Sequence, residues 1–494
     1  MRNEGIGSWP ARRARKTPDQ SAFFFEGRSV GYAEFAERST RLAHALRSAG
    51  IGRDDRVAYI GPNHPALLET LFAAGMLGAI FIPLNTRLAG PEIAYQLQDC
   101  RATVLICDPG CAELVDGTAL LTIEVGADYE SRLEAAATEP IDEPVTAADV
   151  CMLMYTSGTT GRPKGAMLTH GNITWNAVNV LVDNDITSAE RGLISAPLFH
   201  TASLNLLALP VFLKGGTCHI LEGFDPAKVL AYIERHRITF TFGVPTMYDL
   251  MARQPGWAEA DLSSLRLLTC GGAPVPTSLI SLYQQRGLEF LQGYGMTEVG
   301  PAALCVAGEY SVTKAGSAGV PVFFGDVRVA GQDGADVEAG AIGEVLISGP
   351  QVSPGYWGLS EASAAAFTGD WFRSGDAAWM DADGYVTIAD RIKDMYISGG
   401  ENVYPAEVED ALIRLPGVAE CAVVGVPDEK WGEAGRAVVV PDAGVAPDPD
   451  QLLARLRDVL AHYKVPKSLV LVDELPRNAS GKLLKQRIRA EHGG

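Results

Sequence analysis

Tyr155-Thr-Ser-Gly-Thr-Thr-Gly-Arg-Pro-Lys-Gly165 follows a strand-like run at residues 150–155. It holds three glycines, four small hydroxyl residues and two cations. Glycines let successive backbone N–H groups turn toward one anion. The hydroxyls of Ser157, Thr159 and Thr160 add donors, and Lys164 adds a positive charge. A strand running into such a loop is a polyphosphate cradle on an α/β sheet. The spacing is not GxxxxGK[ST], so this is not a P-loop.

The flanks support that reading. Residues 57–60 and 104–107 read as buried strands, 65–77 as a helix and 79–83 as a strand. Downstream, 217–221, 239–242, 265–269 and 289–292 read as strands. The helix at 225–236 between them carries Val229, Tyr232 and Ile233 on one face, with Asp225-Pro226 as its start signal. Strands alternating with helices predict an α/β sheet. From residue 320 to 388 short strand candidates (327–329, 343–347, 385–388) alternate with Asp-Gly turns, which predicts a small β subdomain. After Asp390 the α/β pattern restarts: a helix from Tyr404-Pro405, strands at 419–426 and 437–440, a helix at 448–463 and a strand at 469–472. The expected domains are 1–391 and 392–494. The expected class is α/β: two α/β subdomains and a barrel-like β subdomain in the large domain, then a small, mobile α/β domain.

Composition narrows the function. The chain has 494 residues and a net charge of −19, which disfavours nonspecific contact with nucleic acid or anionic membrane. Eight cysteines show no CxxC or zinc spacing, as expected of thiols in a reducing cytoplasm. The N-terminus lacks a signal-peptide apolar region. The longest apolar runs fall short of the roughly 18 residues that span a bilayer. A soluble cytoplasmic protein without integral membrane association is expected. A homodimer is allowed but fixed by no residue.

Further motifs occur in order: Pro197-Leu-Phe-His200, Gly271-Gly-Ala-Pro274, Gln292-Gly-Tyr-Gly-Met-Thr-Glu298, Ser374-Gly-Asp376, Asp390-Arg-Ile-Lys393 and Pro476-Arg-Asn-Ala-Ser-Gly-Lys482. With the 155–168 loop, this series resembles the acyl-adenylate-forming enzymes: acyl-CoA synthetases, adenylation domains and beetle luciferases. The resemblance covers essentially the whole chain. It implies that a carboxylate attacks the α-phosphate of ATP to give acyl-AMP and pyrophosphate, and that a thiol, usually that of CoA, then displaces AMP. Such a reaction is chiefly a task of positioning and charge neutralisation.

The resemblance also implies roles. Thr156, Ser157, Gly158, Thr159, Thr160 and Lys164 hold phosphates. Gly272, Ala273 and Pro274, with Gly293, Tyr294 and Gly295, wall the adenine. Thr297 touches the α-phosphate, and Glu298 holds Mg²⁺, which suits one carboxylate plus phosphate oxygens. Asp376 accepts from the ribose hydroxyls, and Arg391 is a second ribose or phosphate contact. Lys482 is the catalytic lysine of adenylation, Lys393 the hinge, and Ser398, Gly399 and Gly400 approach the CoA pantetheine. ATP, Mg²⁺ and CoA are the implied cofactors and co-substrates.

The acid is read from residues after the phosphate loop. Amino-acid-activating relatives have an aspartate where this chain has His200. An unpaired ammonium in an apolar pocket is costly, so amino acids are disfavoured. Dicarboxylate-specific relatives place an arginine near this motif, and residues 195–202 contain none. A neutral tail is expected. Pocket candidates are His200, Ala202, Ser203, Asn205, Phe242, Gly243, Val244, Met247 and Gly271, with His200 also a gate between acyl and thiol tunnels. Ser203 and Asn205 either meet a ring substituent or cap a helix. Within the family the chain most resembles bacterial hydroxycinnamate–CoA ligases. A medium-chain fatty acid ligase and a carrier-loading adenylation enzyme are the alternatives.

Overall fold

The computed structural model describes every residue except 1, 119, 157–162, 274, 393, 399–400, 429–430, 461, 479–480 and 494, and leaves the side chains of 401, 402 and 432 undescribed. The chain forms two compact units: residues 1–327 with 347–372, and residues 328–346 with 373–494.

The first unit is built on two largely parallel sheets. One has six strands, in the order Leu121–Glu124, Val104–Cys107, Arg56–Ile60, Ile80–Leu84, Val150–Thr156, Lys164–Thr169. Its inner strands are nearly continuous apolar runs because helices cover parallel sheets on both faces. Every residue of Ile80–Leu84 is buried. The helix Pro65–Leu77 packs into this core and is buried all round, as its unbroken apolar sequence requires. His64 caps it, its Nδ1 accepting from the Ala66 N–H at 3.0 Å. Gly78, at φ +70°, ends it in the left-handed region that favours glycine.

The second sheet has nine strands, in the order Val320–Pro321, Gly300–Cys305, Phe290–Met296, Leu267–Cys270, Phe240–Gly243, Arg191–Ile194, Thr217–Ile220, Ser21–Phe25, Arg28–Gly31. The helix Pro226–His236 buries Val229, Leu230 and Ile233, and Asp225 caps it by accepting from the Lys228 N–H at 2.9 Å. Three neighbouring strands, Phe240–Gly243, Leu267–Cys270 and Phe290–Met296, run parallel, the last over its first three residues. Their carboxyl ends therefore open on one side of the sheet, where α/β folds bind ligands.

Phe290–Met296 extends beyond the expected 289–292. Its Gly-Tyr-Gly-Met portion leaves the parallel ladder and pairs antiparallel with Gly300–Cys305, Gly293 facing Cys305. Glycine has little intrinsic strand preference, so only tertiary pairing marks this extension.

The second unit contains a sheet in the order Glu401–Val403, Tyr396–Ser398, Gly432–Pro441, Val418–Asp428, with Ser468–Leu471 parallel to Gly432–Pro441. Helix Pro405–Ile413 packs on it through Val408 and Leu412. The helix expected over 448–463 spans only Pro449–Arg457. Leu452, Leu453 and Leu456 fill the core, whereas Val459 is 66% exposed, so packing stops supporting the helix there. Residues 373–391 of this unit carry the tail of the strand Trp371–Met380 and its partner Val386–Arg391.

Candidate active site

The phosphate-loop candidate is framed by Thr156 and Lys164. Thr156 ends one strand, Lys164 opens the next, and they face each other in antiparallel register. Ser157, Gly158, Thr159 and Thr160 lie outside the described residues. The Thr156 hydroxyl donates to Glu298 Oε1 at 3.1 Å. The Tyr356 hydroxyl donates to the same oxygen at 3.0 Å. The Lys164 ammonium sits 5.1 Å from the centre of the Tyr356 ring, a cation–π contact. Two chain segments thus donate to one buried carboxylate, and Lys164 stands on the ring of one of the donors. The Ser353 N–H donates to the Glu298 carbonyl at 2.7 Å and fixes the backbone beneath it.

Glu298 and Thr297 lie in the turn between Phe290–Met296 and Gly300–Cys305. Gly295 must be glycine here, since a Cβ would run into the Gly300 carbonyl. On the neighbouring strand end, Gly271 approaches Gly293 so closely that a Cβ would stand 3.0 Å from its carbonyl oxygen. Gly272, at φ +81°, turns the chain away. Gly271, Gly272, Ala273, Gly293 and half-buried Tyr294 therefore form one edge of adjacent strand ends. Pro274 lies outside the described residues.

The acyl-pocket candidates sit on a wide turn of backbone. Residues Ala202–Ala208 form a π-helix that runs into the helix Leu209–Lys214. Pro210 supplies no N–H, and a widened turn just before it accommodates the missing bond. Ser203 and Asn205 are buried within this segment, and neither caps a helix. Asn205 donates to Thr201 Oγ1 at 3.0 Å, and its carbonyl accepts from Asn176 Nδ2 at 2.6 Å. Its Oδ1 is buried with no donor among the described residues. A cleft lined by Asn176, Thr201, Asn205, Thr297 and Gln351 brings this segment to the α-phosphate candidate Thr297. Phe242 is buried, and Ala202, Val244 and Met247 pack against the core. A Cβ on Gly243 would stand 3.0 Å from the Tyr248 ring, so that position has no room for a side chain.

His200 stacks at a tilt on Phe199, with ring centres 4.7 Å apart. Burial, with a smaller contribution from Arg87, lowers its pKa to about 4, so the ring is neutral. Arg87 is exposed and lies in the turn after Ile80–Leu84, far in sequence from the 195–202 stretch.

In the second unit, Asp376 and Arg391 face each other across two strands, and Arg391 Nε stands 2.6 Å from Asp376 Oδ1. Asp376 is 3% exposed; the guanidinium reaches outward. Lys482 sits in a tight turn: its N–H donates to Asn478 Oδ1 at 2.9 Å, and its carbonyl accepts from the Asn478 N–H at 2.8 Å. Ser398 is buried. Lys393, Gly399 and Gly400 lie outside the described residues.

Tyr356 is the residue that sequence reasoning missed. It lies 58 positions from Glu298, and no spacing joins them. Its segment is held beside Lys164–Thr169 by reciprocal bonds, Met167 N–H to the Gly355 carbonyl at 2.9 Å and Trp357 N–H to the Gly165 carbonyl at 2.8 Å. The Ser353-Pro-Gly-Tyr356 turn is the one local signal for that contact.

These features match known proteins along the full chain. The model of the family described as AMP-binding enzyme matches residues 10–357, and that of the AMP-binding enzyme C-terminal domain matches 407–482. A feruloyl-CoA synthase from an Amycolatopsis species is 56% identical, with 100% of both chains covered. An indoleacetate–CoA ligase from Aromatoleum aromaticum is 42% identical over 98% of this chain and 97% of the relative. The structure of an o-succinylbenzoate CoA synthetase from Bacillus subtilis, in complex with ATP and magnesium, superposes with a TM-score of 0.89 at 32% identity, covering 98% of this chain and 99% of that one.

The residues present fit the family's metal. Among the described residues no cluster of three or more ligating side chains exists. Glu298 has one oxygen saturated by two hydroxyl donors, leaving the other for a cation that takes its remaining ligands from phosphates and water. Among the described residues no helix is long and apolar enough to cross a membrane. The chain belongs to the AMP-binding enzyme family, in the acyl-CoA synthetase branch that uses ATP, Mg²⁺ and CoA.

Proposed function

We propose that the chain is an ATP-dependent hydroxycinnamate–CoA ligase acting on ferulate or 4-coumarate. The observation that carries this is the 56% identity to a feruloyl-CoA synthase across the whole of both chains. The pocket supports it. His200 is neutral, Phe242 supplies an apolar wall, and Asn205 Oδ1 is a buried acceptor without a donor, suited to a ring hydroxyl.

In the first step a carboxylate oxygen bonds to the α-phosphorus of ATP and the bond to the β-phosphate breaks, releasing pyrophosphate. Mg²⁺, when bound, neutralises phosphate charge. Glu298 would hold it, with Thr156 and Tyr356 fixing the carboxylate. Thr156, Ser157, Gly158, Thr159, Thr160 and Lys164 cradle the phosphates, and Thr297 contacts the α-phosphate. Gly272, Ala273, Pro274, Gly293, Tyr294 and Gly295 receive the adenine. Asp376 and Arg391 take the ribose, and Lys482 bridges carboxylate and phosphate as charge develops. In the second step the CoA sulfur bonds to the acyl carbon and the bond to AMP breaks. Lys393 is the hinge for this step, and Ser398, Gly399 and Gly400 approach the pantetheine. His200 gates the acyl and thiol tunnels. The site suits cytoplasmic ATP and CoA, and a homodimer is compatible with it.

The test is steady-state thioester formation with ferulate, 4-coumarate, cinnamate, octanoate and malonate in parallel. Ferulate or coumarate is expected to give the highest kcat/KM, and Asn205→Leu to erase the preference for coumarate over cinnamate. Octanoate dominance assigns a fatty acid ligase instead. Acyl-AMP without thioester assigns a carrier-loading enzyme.

A further inference from the structure

Lys485 opens the last helix, Lys485–His492, where a cation faces the positive end of the helix dipole. It is also mostly buried, its side chain 15% exposed. Both placements are unfavourable unless something compensates them. The compensation is a pair of carboxylates from two other elements. Lys485 Nζ stands 2.9 Å from Glu409 Oε1 on the helix Pro405–Ile413 and 3.8 Å from Asp390 Oδ2. These carboxylates hold the lysine charged, raising its pKa despite burial.

Each carboxylate is itself tied to backbone. Glu409 Oε1 accepts from the Val423 N–H at 2.7 Å. Asp390 accepts from the Ala406 N–H at 2.7 Å and from the Arg391 N–H at 2.6 Å. On the other side, Lys485 is three residues from Lys482. The link between them is short and held: the Leu484 N–H donates to the Pro476 carbonyl at 2.9 Å, and Arg477 bridges Leu483. A rigid path therefore runs from the Lys482 turn through Lys485 to Asp390, and on to the Arg391–Asp376 pair.

Apolar residues of similar volume often stabilise a fold as well as a buried ion cluster does, so what the cluster adds is fixed geometry. We propose that Lys485 is a positioning residue for adenylation: by bridging Glu409 and Asp390 it sets where Lys482 stands relative to the strand that ends in Arg391. The proposal rests on the reading of Lys482 as the adenylation lysine.

The two half-reactions separate the possibilities. Acyl-AMP formation is followed in a single turnover, and thioester formation from pre-made acyl-AMP in a second assay, for the full chain carrying Lys482→Ala, Lys485→Met, Glu409→Gln or Lys485→Met with Glu409→Gln. Lys485→Met is expected to slow adenylation on the order of 10- to 100-fold, the effect of misplacing a reacting group by about 1 Å. The thioester step should stay within about twofold, because Lys482 acts only in adenylation and its position does not bear on the attack of sulfur. The double variant removes one orphaned carboxylate. It should recover thermal stability over Lys485→Met without recovering adenylation. Wild-type adenylation in a folded double variant overturns the proposal, as does equal loss of both half-reactions. Unchanged adenylation in Lys482→Ala would instead overturn the reading of Lys482 on which the proposal rests.

Discussion

Tyr356→Phe removes one oxygen and leaves the ring over which Lys164 sits. The lost interaction is a hydroxyl donating at 3.0 Å to the Glu298 carboxylate, which is 7% exposed. Hydrogen bonds to charged groups are worth about 1.5–3 kcal/mol, or roughly 10- to 150-fold. Thr156 still donates to the same oxygen at 3.1 Å, so the low end applies to the single variant. If Glu298 orients Mg·ATP, the KM for Mg·ATP should rise about tenfold. The apo melting temperature should move little, because the ring and its packing remain. Thr156→Val combined with Tyr356→Phe strips both donors from one oxygen. It should exceed the product of the single effects, because the first donor lost is partly covered by the second. Pyrophosphate release measured against Mg²⁺ and ATP concentration reads this directly. A Tyr356→Phe enzyme with both KM and adenylation rate within about twofold of wild type would refute the coupling of Tyr356 to the nucleotide through Glu298.

Other consequences follow from single features. Lys482→Ala is expected to lower acyl-AMP formation by on the order of 100-fold or more while pre-made acyl-AMP still becomes thioester; equal loss in a quench assay contradicts it. Gly295→Ala places a methyl against the Gly300 carbonyl and should distort the turn holding Thr297 and Glu298, abolishing ATP binding by calorimetry; retained affinity would show that the turn tolerates a side chain. Burial lowers the pKa of His170, His200 and His219 to about 4 each. The unfolded chain binds these protons near pH 6.5 and the folded chain does not, so stability falls as pH drops from about 6.5 toward 4. At pH 5.5 the loss is on the order of 1 kcal/mol per histidine, a few kcal/mol in all. Urea unfolding at pH 7.5 and 5.5 measures it, and an unchanged slope in the triple glutamine variant would contradict the assignment.

Where local chemistry and tertiary role coincide, the sequence reads well. Val104–Cys107 and Pro65–Leu77 have the expected bounds, because an unbroken apolar run and a Pro-to-Gly helix are dictated locally. Asp225 caps the helix it was expected to cap. The motif order pointed to the family, and two residues of separate motifs, Thr156 and Glu298, meet in the structure. What is not legible depends on distant partners. The Gly-Tyr-Gly strand exists because Gly300–Cys305 pairs with it. Tyr356 joins Glu298 only because its segment docks beside Lys164–Thr169. The π-helix at Ala202–Ala208 places Asn205 in the same cleft as Thr297, and an apolar run ending in Leu-Pro has no periodicity that predicts a widened turn. Arg87, in the turn after another strand, adds its charge to the field at His200, so charge near the acyl pocket could not be read from residues 195–202 alone.

The most direct measurement is a competition in one tube: enzyme, ATP, Mg²⁺, CoA, ferulate labelled with ¹⁸O in both carboxylate oxygens, and an equal amount of octanoate, analysed by mass spectrometry. Attack of the carboxylate on the α-phosphorus followed by transfer to sulfur must leave one labelled oxygen in AMP. Feruloyl-CoA as the main thioester together with singly labelled AMP is the expected result. Octanoyl-CoA as the main product, or feruloyl-CoA formed with unlabelled AMP, would contradict it.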